Sequence, residues 1–250
     1  MPKIHRLAKG VYGVTDLFHP AGGVNAGFIA IRDFVVHVDA GMTVSDGRYL
    51  LENSMKKVKR PTRFWLVLTH NHSDHIFGMR VFKEAGAKIF AHEWVKKFLL
   101  SRSFPLFRRV KDTYKDFIVK MMVKRMGFSR ERANEILGDV KLFVPDKVFR
   151  EDFSLKIDEE TVLELIYTPG HVPGEISVYH SESQTLFAGD AVYEGMPLTT
   201  RFGGPKEWKQ WIRSLEKLQQ LDIKRIVPGH GKICGKEELQ RNIEYLENLL

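Results

Sequence analysis

Three histidines and one aspartate lie within the six positions that end at His75, in the segment Thr69–His75 (THNHSDH). The segment directly follows an apolar run (FWLVL), which predicts that these side chains stand at the end of a buried strand. Imidazole nitrogens and carboxylate oxygens are ligands that zinc and related divalent ions prefer. Residues two apart in an extended segment face the same way, so His70 and His72 can reach one ion, while Asp74 and His75 can reach a second. Four ligands do not fill two sites, so the segment predicts further ligands elsewhere in the chain.

Three later turns supply candidates for the missing ligands. Each follows an apolar run and contains glycine or proline: TPGH with His171, FAGDA with Asp190, and PGHG with His230. Glycine permits tight turns that can aim one side chain back over the edge of a sheet. A single histidine at a strand end is more often a hydrogen-bonded turn residue than a ligand. The dense first segment followed by all three turns favours metal binding, with Asp190 able to bridge two ions through its two oxygens.

The elements that must position these residues alternate between strands and helices. Hydrophobic periodicity and turn residues predict strands at 11–14, 24–31, 34–39, 64–68, 88–91, 154–157, 162–168, 176–180, 185–188 and 223–227. They predict helices at 46–59, 75–85, from 93 onward, and at 206–218 and 237–250. In each half of the chain a hairpin ends in Asp-Ala, a helix follows, and an apolar strand then ends in histidine. We expect two such units to pack sheet on sheet with helices outside, as a four-layer α/β arrangement in a single domain over residues 1–250.

In type and order, these residues resemble the ligand pattern of the metallo-β-lactamase superfamily, and the resemblance extends through nearly the whole chain. The resemblance implies a four-layer αββα sandwich with a metal site at one edge. It implies one ion bound by His70, His72 and His171. It implies a second ion bound by Asp74, His75 and His230, with Asp190 as the bridge. It also implies that Asp39, in the early VDAG, lies behind the ligands and orients their loop. The implied cofactors are two divalent ions, zinc in the first place, with iron or manganese as alternatives.

Two ions held close together lower the pKa of a bridging water and polarise a carbonyl or phosphoryl oxygen. The expected activity is therefore hydrolysis by a metal-bridging hydroxide, with Asp74 carrying a proton to the leaving group. Glyoxalase II enzymes and acyl-homoserine-lactone lactonases of this superfamily share the ligand set. The lactonases have a tyrosine three residues after the bridging aspartate, where this chain has Tyr193. Tyr193 is thus a candidate to hydrogen-bond a substrate carbonyl, and we expect a small ester, thioester or lactone substrate.

Two other activities remain open at this point. One is a phosphodiesterase or nuclease acting on an anionic substrate, although nucleic acid is not the favoured partner. The other is a persulfide dioxygenase, which uses this fold with one iron held by two histidines and one aspartate. One iron per chain would favour the dioxygenase, and two zinc ions would favour hydrolysis.

The net charge of +8 is concentrated in one part of the chain. The segment 96–141 contains 13 Lys and Arg against 5 Asp and Glu, and the rest of the chain is neutral. Within it, 100–141 is predicted to be an inserted, basic, amphipathic helical segment, with one helix over 106–126 and a second from an N-cap at Ser129 to Gly138. Its apolar face is expected to pack on the domain or on a partner in a homodimer. A lid for an acyl chain and a membrane-surface contact are the alternatives.

The composition, with 43% hydrophobic and 28% charged residues, is typical of a soluble globular protein. No apolar run reaches membrane-spanning length, and the N-terminus has no secretory signal pattern. Cys234 is the only cysteine, so no intrachain disulfide is possible. These features lead us to expect a cytoplasmic protein.

Overall fold

Two β-sheets form the centre of the structure, which is a computed structural model and describes residues 1–18, 23–59, 62–101, 116, 118–124 and 127–250. The first sheet has seven strands, in the order of the chain: β1 Lys3–Ala8, β2 Val11–Leu17, β3 Val24–Ile31, β4 Phe34–Val38, β5 Arg63–Val67, β6 Lys88–His92 and β7 Lys147–Phe149. The second sheet has five strands in the spatial order β12-β11-β10-β9-β8: β8 Phe153–Lys156, β9 Val162–Tyr167, β10 Ile176–His180, β11 Thr185–Tyr193 and β12 Arg225–His230.

The described helices are α1 Val44–Met55, α2 Ser73–Ile76, α3 Met79–Glu84, α4 Glu93–Leu100, α5 (described over 118–124), α6 Arg130–Gly138, α7 Pro205–Gln219 and α8 Glu237–Glu247. None of these helices is long and apolar enough to cross a membrane. A capping box starts α1, because the Thr43 hydroxyl accepts from the backbone N–H of Asp46 at 3.0 Å while the Asp46 carboxylate accepts from that of Thr43 at 2.9 Å.

Three apolar clusters show how the layers are stacked. The cluster between the sheets includes Val36 of β4 together with Val178 and Phe187 of the second sheet. A second cluster joins the outer face of the first sheet to α1, α3 and the described parts of α5 and α6. A third joins the outer face of the second sheet to α7 and α8, around Trp211 and Leu239. The order helices–sheet–sheet–helices confirms the predicted αββα sandwich.

The strand pairing brings four strand ends to one edge of the sandwich. β4 and β5 pair in parallel, with α1 between them in the chain, and β11 and β12 pair in parallel, with α7 between them. A parallel pair linked by a helix places both of its carboxyl ends at the same edge. Because the two halves of the chain have a similar order of elements, each half places polar side chains at this edge.

The structure differs from the predicted elements in three ways, of which the first two concern the site. The helix predicted over 75–85 is two helices, α2 and α3, separated at Phe77 and Gly78. A Cβ on Gly78 would lie 2.0 Å from the carbonyl oxygen of Ala40, so the break lets the backbone pass close to the loop after β4. The strand predicted over 185–188 continues to Tyr193 as β11, and β1 and β7 were not predicted at all.

The predicted helix over 106–126 lies largely outside the described residues. The described residues within this range, 116 and 118–124, are helical. The second predicted helix of this segment is confirmed as α6, and the Ser129 hydroxyl accepts from the backbone N–H of Arg132 at 3.1 Å as its N-cap. The role of 100–141 as an inserted unit, lid or dimer interface stays a prediction.

Candidate metal centre

The seven predicted ligands lie together at the edge where β5, β11 and β12 end. Their nitrogen and oxygen atoms form two groups, and within each group all ligand atoms lie within 4.8 Å of one another. The first group consists of His70, His72, His171 and Asp190. The second consists of Asp74, His75 and His230.

Asp190 lies between the two groups and turns one oxygen toward each. Its Oδ2 is 3.3 Å from Nε2 of His171 and 3.7 Å from Nε2 of His70. Its Oδ1 is 3.1 Å from Nε2 of His75 and 3.4 Å from Nε2 of His230. The carboxylate is buried, so this orientation is fixed by the fold. A carboxylate in this position can contribute one oxygen to each group.

Three of the imidazoles are anchored through Nδ1. His75 Nδ1 donates to Oδ2 of Asp39 at 2.8 Å, and His230 Nδ1 donates to the carbonyl oxygen of Gly23 at 2.9 Å. His70 Nδ1 donates to the hydroxyl of Thr69 at 3.0 Å. A hydrogen bond that holds the proton on Nδ1 leaves Nε2 with a free lone pair. All three Nε2 atoms therefore point into the site, and each can offer its lone pair to an ion when the ring is neutral.

Asp39 supports the ligand loop at three atoms. Its Oδ1 accepts from the backbone N–H of Thr69 at 2.8 Å. Its Oδ2 accepts from the Thr69 hydroxyl at 2.8 Å and from Nδ1 of His75 at 2.8 Å. The Thr69 hydroxyl in turn bonds to His70. Asp39, directly after β4, therefore holds His75 of the second group directly and His70 of the first group through Thr69.

Burial and neighbouring charges divide the imidazoles into two electrostatic classes. Burial lowers the pKa of His70 well below its usual value and lowers the pKa of His171 to about 3. Burial acts in the same direction on the pKa of His75 and His230, but the neighbouring carboxylates together outweigh it: Asp190 and Asp74 for both rings, and Asp39 as well for His75. The pKa of His75 lies well above its usual value, and that of His230 is raised to about 10. Without an ion, the imidazoles of the first group are therefore neutral at pH 7 and those of the second group are protonated.

Several buried polar atoms that face the site lack a hydrogen-bond partner. They include Nε2 of His70, Nε2 of His75 and Oδ1 of Asp190. In addition, Nδ1 of His72 and Nε2 of His171 approach each other to 2.9 Å. Buried polar groups are almost always satisfied, and an ion is one of the partners that can satisfy them. Imidazoles and carboxylates converging in this way fit divalent ions such as zinc.

Tyr193, the candidate for contact with substrate, lies directly beside the Asp190 carboxylate. Its hydroxyl donates to Oδ2 of Asp190 at 2.6 Å, and its ring stacks on that of His230 at 5.0 Å between centroids. Burial and then the Asp190 charge raise the pKa of Tyr193 well above its usual value. The phenol therefore keeps its proton and is a hydrogen-bond donor at neutral pH.

Four residues at the site were not singled out from the sequence. Thr69 links Asp39 to His70, and Glu175 is a buried carboxylate behind the ligands. The rings of Phe202 and Trp211 lie 5.6 Å and 5.4 Å from that of His171. Thr69 and Glu175 adjoin the ligand motifs in sequence, which is a signal that could have found them. Phe202 and Trp211 come from the chain after β11, and no local pattern marks them.

A cavity of about 550 Å³ opens over the two groups. Among the described residues, its lining includes the candidate ligands His72, Asp74, His171, Asp190 and His230. Apolar side chains from the loop after β2, from α5 and from the segment after β11 form much of the remaining wall. The site is thus open to a small molecule, and Asp74 faces this opening with its side chain 31% exposed.

Comparison with known proteins agrees with this geometry. The family model described as the metallo-beta-lactamase superfamily matches residues 19–230. The probable metallo-hydrolase YflN of Bacillus subtilis (strain 168) is 29% identical over 263 residues, which cover 97% of this chain and 92% of YflN. The Beta-lactamase-like protein 2 homolog of Caenorhabditis elegans is 35% identical over 99 residues, which cover 39% of this chain.

The chain spans only part of several of these relatives. It covers 31% of the Caenorhabditis elegans protein and 41% of the linear primary-alkylsulfatase of Pseudomonas sp. (strain ATCC 19151). It covers 66% of the probable metallo-hydrolase YqjP of Bacillus subtilis (strain 168). Among solved structures, a metallo-beta-lactamase from Pontibacter korlensis matches with a TM-score of 0.71 at 19% identity, over 99% of this chain and 100% of that chain. At this identity the likeness concerns the fold alone.

Proposed function

The chain belongs to the metallo-beta-lactamase superfamily, and from this premise we propose that it is a dinuclear metal-dependent hydrolase of an ester, thioester or lactone. The observation that carries the proposal is the position of Asp190, whose two oxygens face two separate ligand groups at 3.1–3.7 Å. A single-ion site would need only one of these groups. Two divalent ions, with zinc as the first choice, would occupy the groups, and when bound they supply an activated water and polarise the carbonyl oxygen of the substrate.

Asp74 is proposed to move the proton. Burial alone would raise its pKa, but the neighbouring His75 and His230 lower it, so the carboxylate is ionised and can accept a proton. Its Oδ2 lies 3.3 Å from Nε2 of His230, and the side chain borders the cavity. A proton taken up at Asp74 can then pass to the leaving oxygen or sulfur of the substrate.

Tyr193 is proposed to stabilise the substrate oxygen. Its hydroxyl is a donor at neutral pH, and it borders the same cavity as Asp74. A rotation of the O–H bond would turn the donor from Asp190 to a carbonyl oxygen in the cavity. A preorganised donor at the position where negative charge develops lowers the barrier of acyl transfer.

The lining of the cavity supports an acyl substrate. Phe18, Met42, Ile118 and Met121 present an apolar wall beside the ligands, and such a wall favours a carbon chain. Binding of a nucleic acid backbone would instead require several basic side chains near the site. Arg201 is the only Lys or Arg among the lining residues that the structure describes. It could bind a single anionic group on a small substrate.

The test is hydrolysis by the zinc-loaded protein of a panel that contains acyl lactones, aryl esters, acyl thioesters and phosphodiesters. The metal content of the same preparation is measured by elemental analysis. We expect two zinc ions per chain and turnover of carbonyl substrates, which Asp74→Asn should slow strongly. Cleavage of phosphodiesters alone would refute the carbonyl assignment, and a single iron with no hydrolysis would refute the hydrolase.

A further inference from the structure

Glu175 is a buried carboxylate behind the ligand atoms, with 0% exposure. Its Oε1 accepts a hydrogen bond from the backbone N–H of Asp190 at 3.0 Å. Its Oε2 lies 3.4 Å from Nδ1 of His70 and has no hydrogen-bond partner. One side chain therefore contacts a candidate ligand from each half of the chain.

The backbone around Glu175 is fixed to both halves as well. The N–H of Ile176 donates to the carbonyl of Thr69 at 2.9 Å, and the N–H of Thr168 donates to the carbonyl of Glu175 at 3.0 Å. Gly189 has a φ of +56°, and a Cβ there would lie 2.5 Å from Oε1 of Glu175. The glycine thus provides the space that the carboxylate occupies.

A purely structural role does not account for this arrangement. A neutral side-chain oxygen would be enough to accept from the N–H of Asp190. A carboxylate buried without a cation is costly. A buried acidic side chain at this position becomes favourable when a cation is bound on the opposite side of the His70 ring.

We propose that Glu175 is a positioning residue of the metal centre, holding His70 through Nδ1 and Asp190 through its peptide N–H. This role rests on the proposed binding of metal at the first group. Histidine ligands in metal sites usually donate their second ring nitrogen to a carboxylate, a carbonyl or water, which fixes the ring and increases its basicity. Here the Thr69 hydroxyl and the Glu175 carboxylate share that function for His70, at 3.0 Å and 3.4 Å from Nδ1. Glu175 adds a carboxyl group, which would place negative charge behind His70 when an ion is bound and which a threonine hydroxyl cannot supply.

The test compares Glu175→Gln with the wild-type chain in zinc and cobalt binding. Glutamine keeps the length of the side chain and an oxygen for the N–H of Asp190, but turns an N–H donor toward Nδ1 of His70. The dissociation constants are measured by chelator competition, and the cobalt(II) absorption spectrum reports the ligand geometry. We expect binding of the first ion to weaken by about 10-fold to 100-fold, with a changed cobalt spectrum.

Ser177→Ala is the matched control, because Ser177 is equally buried, lies two residues along the chain and bonds to no ligand. It should leave both metal constants within twofold of wild type. Circular dichroism of the metal-free variants checks folding. Should Glu175→Gln not fold, Glu175→Met offers an apolar side chain of similar size for the same measurement.

The outcomes separate this role from the proposed function. If the wild-type chain binds two zinc ions and a folded Glu175 variant binds them with unchanged affinity and spectrum, the positioning role is wrong while the metal centre stands. If the wild-type chain binds no zinc, the metal centre itself is overturned, and the role of Glu175 with it.

Discussion

Asp39→Asn should weaken one half of the proposed metal centre more than the other. Oδ1 of Asp39 accepts from the backbone N–H of Thr69, and Oδ2 accepts from the Thr69 hydroxyl and from Nδ1 of His75. Asparagine can keep an oxygen for the backbone N–H, but it then presents an N–H donor where Oδ2 was. Nδ1 of His75 meets a donor, so the neutral ring favours its proton on Nε2. Nε2 is the atom that faces Asp190, and a protonated nitrogen cannot bind an ion.

The expected loss of metal affinity at each group depends on how many hydrogen bonds to its histidines lose their acceptor. Loss of one supporting partner of a metal ligand typically costs about 10-fold to 100-fold in metal affinity, or about 1.4 to 2.7 kcal/mol. His75 loses its partner directly, so the second group should show a loss in this range. His70 is contacted only through Thr69, and a hydroxyl oxygen can accept from both neighbours at once. Affinity at the first group should therefore change by less than about fivefold, which is smaller than the loss of one full partner.

Thr69→Val is the matched comparison, because it removes the partner of His70 and leaves the bond between Asp39 and His75 in place. It should weaken the first group and spare the second. Cobalt(II) spectra of His171→Ala and His230→Ala, each lacking a ligand of one group only, assign the absorption bands. Chelator competition then gives the affinity for each ion. An Asp39→Asn protein that binds both ions as tightly as wild type, or loses the first group before the second, would refute this reasoning.

Three further predictions concern the bridge, the phenol and a buried histidine. Asp190→Asn leaves one acceptor oxygen for two ligand groups, so elemental analysis should find at most one tightly bound ion per chain and kcat/KM should fall by about 100-fold or more. Tyr193→Phe removes one neutral hydrogen-bond donor, so kcat should fall by about tenfold with unchanged metal content, and a loss of metal would contradict a role toward substrate. Burial lowers the pKa of His37 to about 3, so its stabilising neutral form is fully present above pH 6.5 and is lost as the pH falls from there toward 3. Urea unfolding of the metal-free protein should therefore lose up to about 1.4 kcal/mol per pH unit below pH 6.5 through this residue, and that part should be missing in His37→Leu.

The residues that the structure brings together as candidate ligands could be predicted from the sequence because they carry local signals. The cluster Thr69–His75 is dense, and the later histidines and Asp190 each follow an apolar strand beside a glycine. The four-layer fold followed from the alternation of strands and helices and from the similar order of elements in the two halves. Both kinds of signal depend on short stretches of chain, and the structure reproduces them closely.

The supports of the ligands could not be read in the same way, because they depend on contacts between distant segments. The partner of His230 is the carbonyl of Gly23, which lies 207 positions earlier in the chain. No side chain marks a backbone carbonyl as a metal-site support. The break between α2 and α3 has a similar origin, since it reflects the close passage of Gly78 over the carbonyl of Ala40 and overrides a continuous helical pattern. Local pattern thus predicts the ligands, and tertiary packing decides how they are held.

The charges of the site connect the number of ions to the protonation of the ligands. Four carboxylates lie in or behind the two groups: Asp39, Asp74, Glu175 and Asp190. When all four are ionised and the imidazoles are neutral, two divalent ions would balance them. Without ions, protons on His75 and His230 supply part of this charge, because Asp190 and Asp74 together, with Asp39 beside His75, raise the pKa of both rings. Those two protons occupy the Nε2 positions that an ion would need, so an ion must displace them to bind at the second group. The imidazoles of the first group are already neutral, so binding there would release few protons. The stretch that begins at Thr69 therefore contributes to two groups with different proton affinities. Asp190 acts on both groups, and the pKa of the second group is raised further because Asp74 lies beside His75 and His230 and Asp39 beside His75.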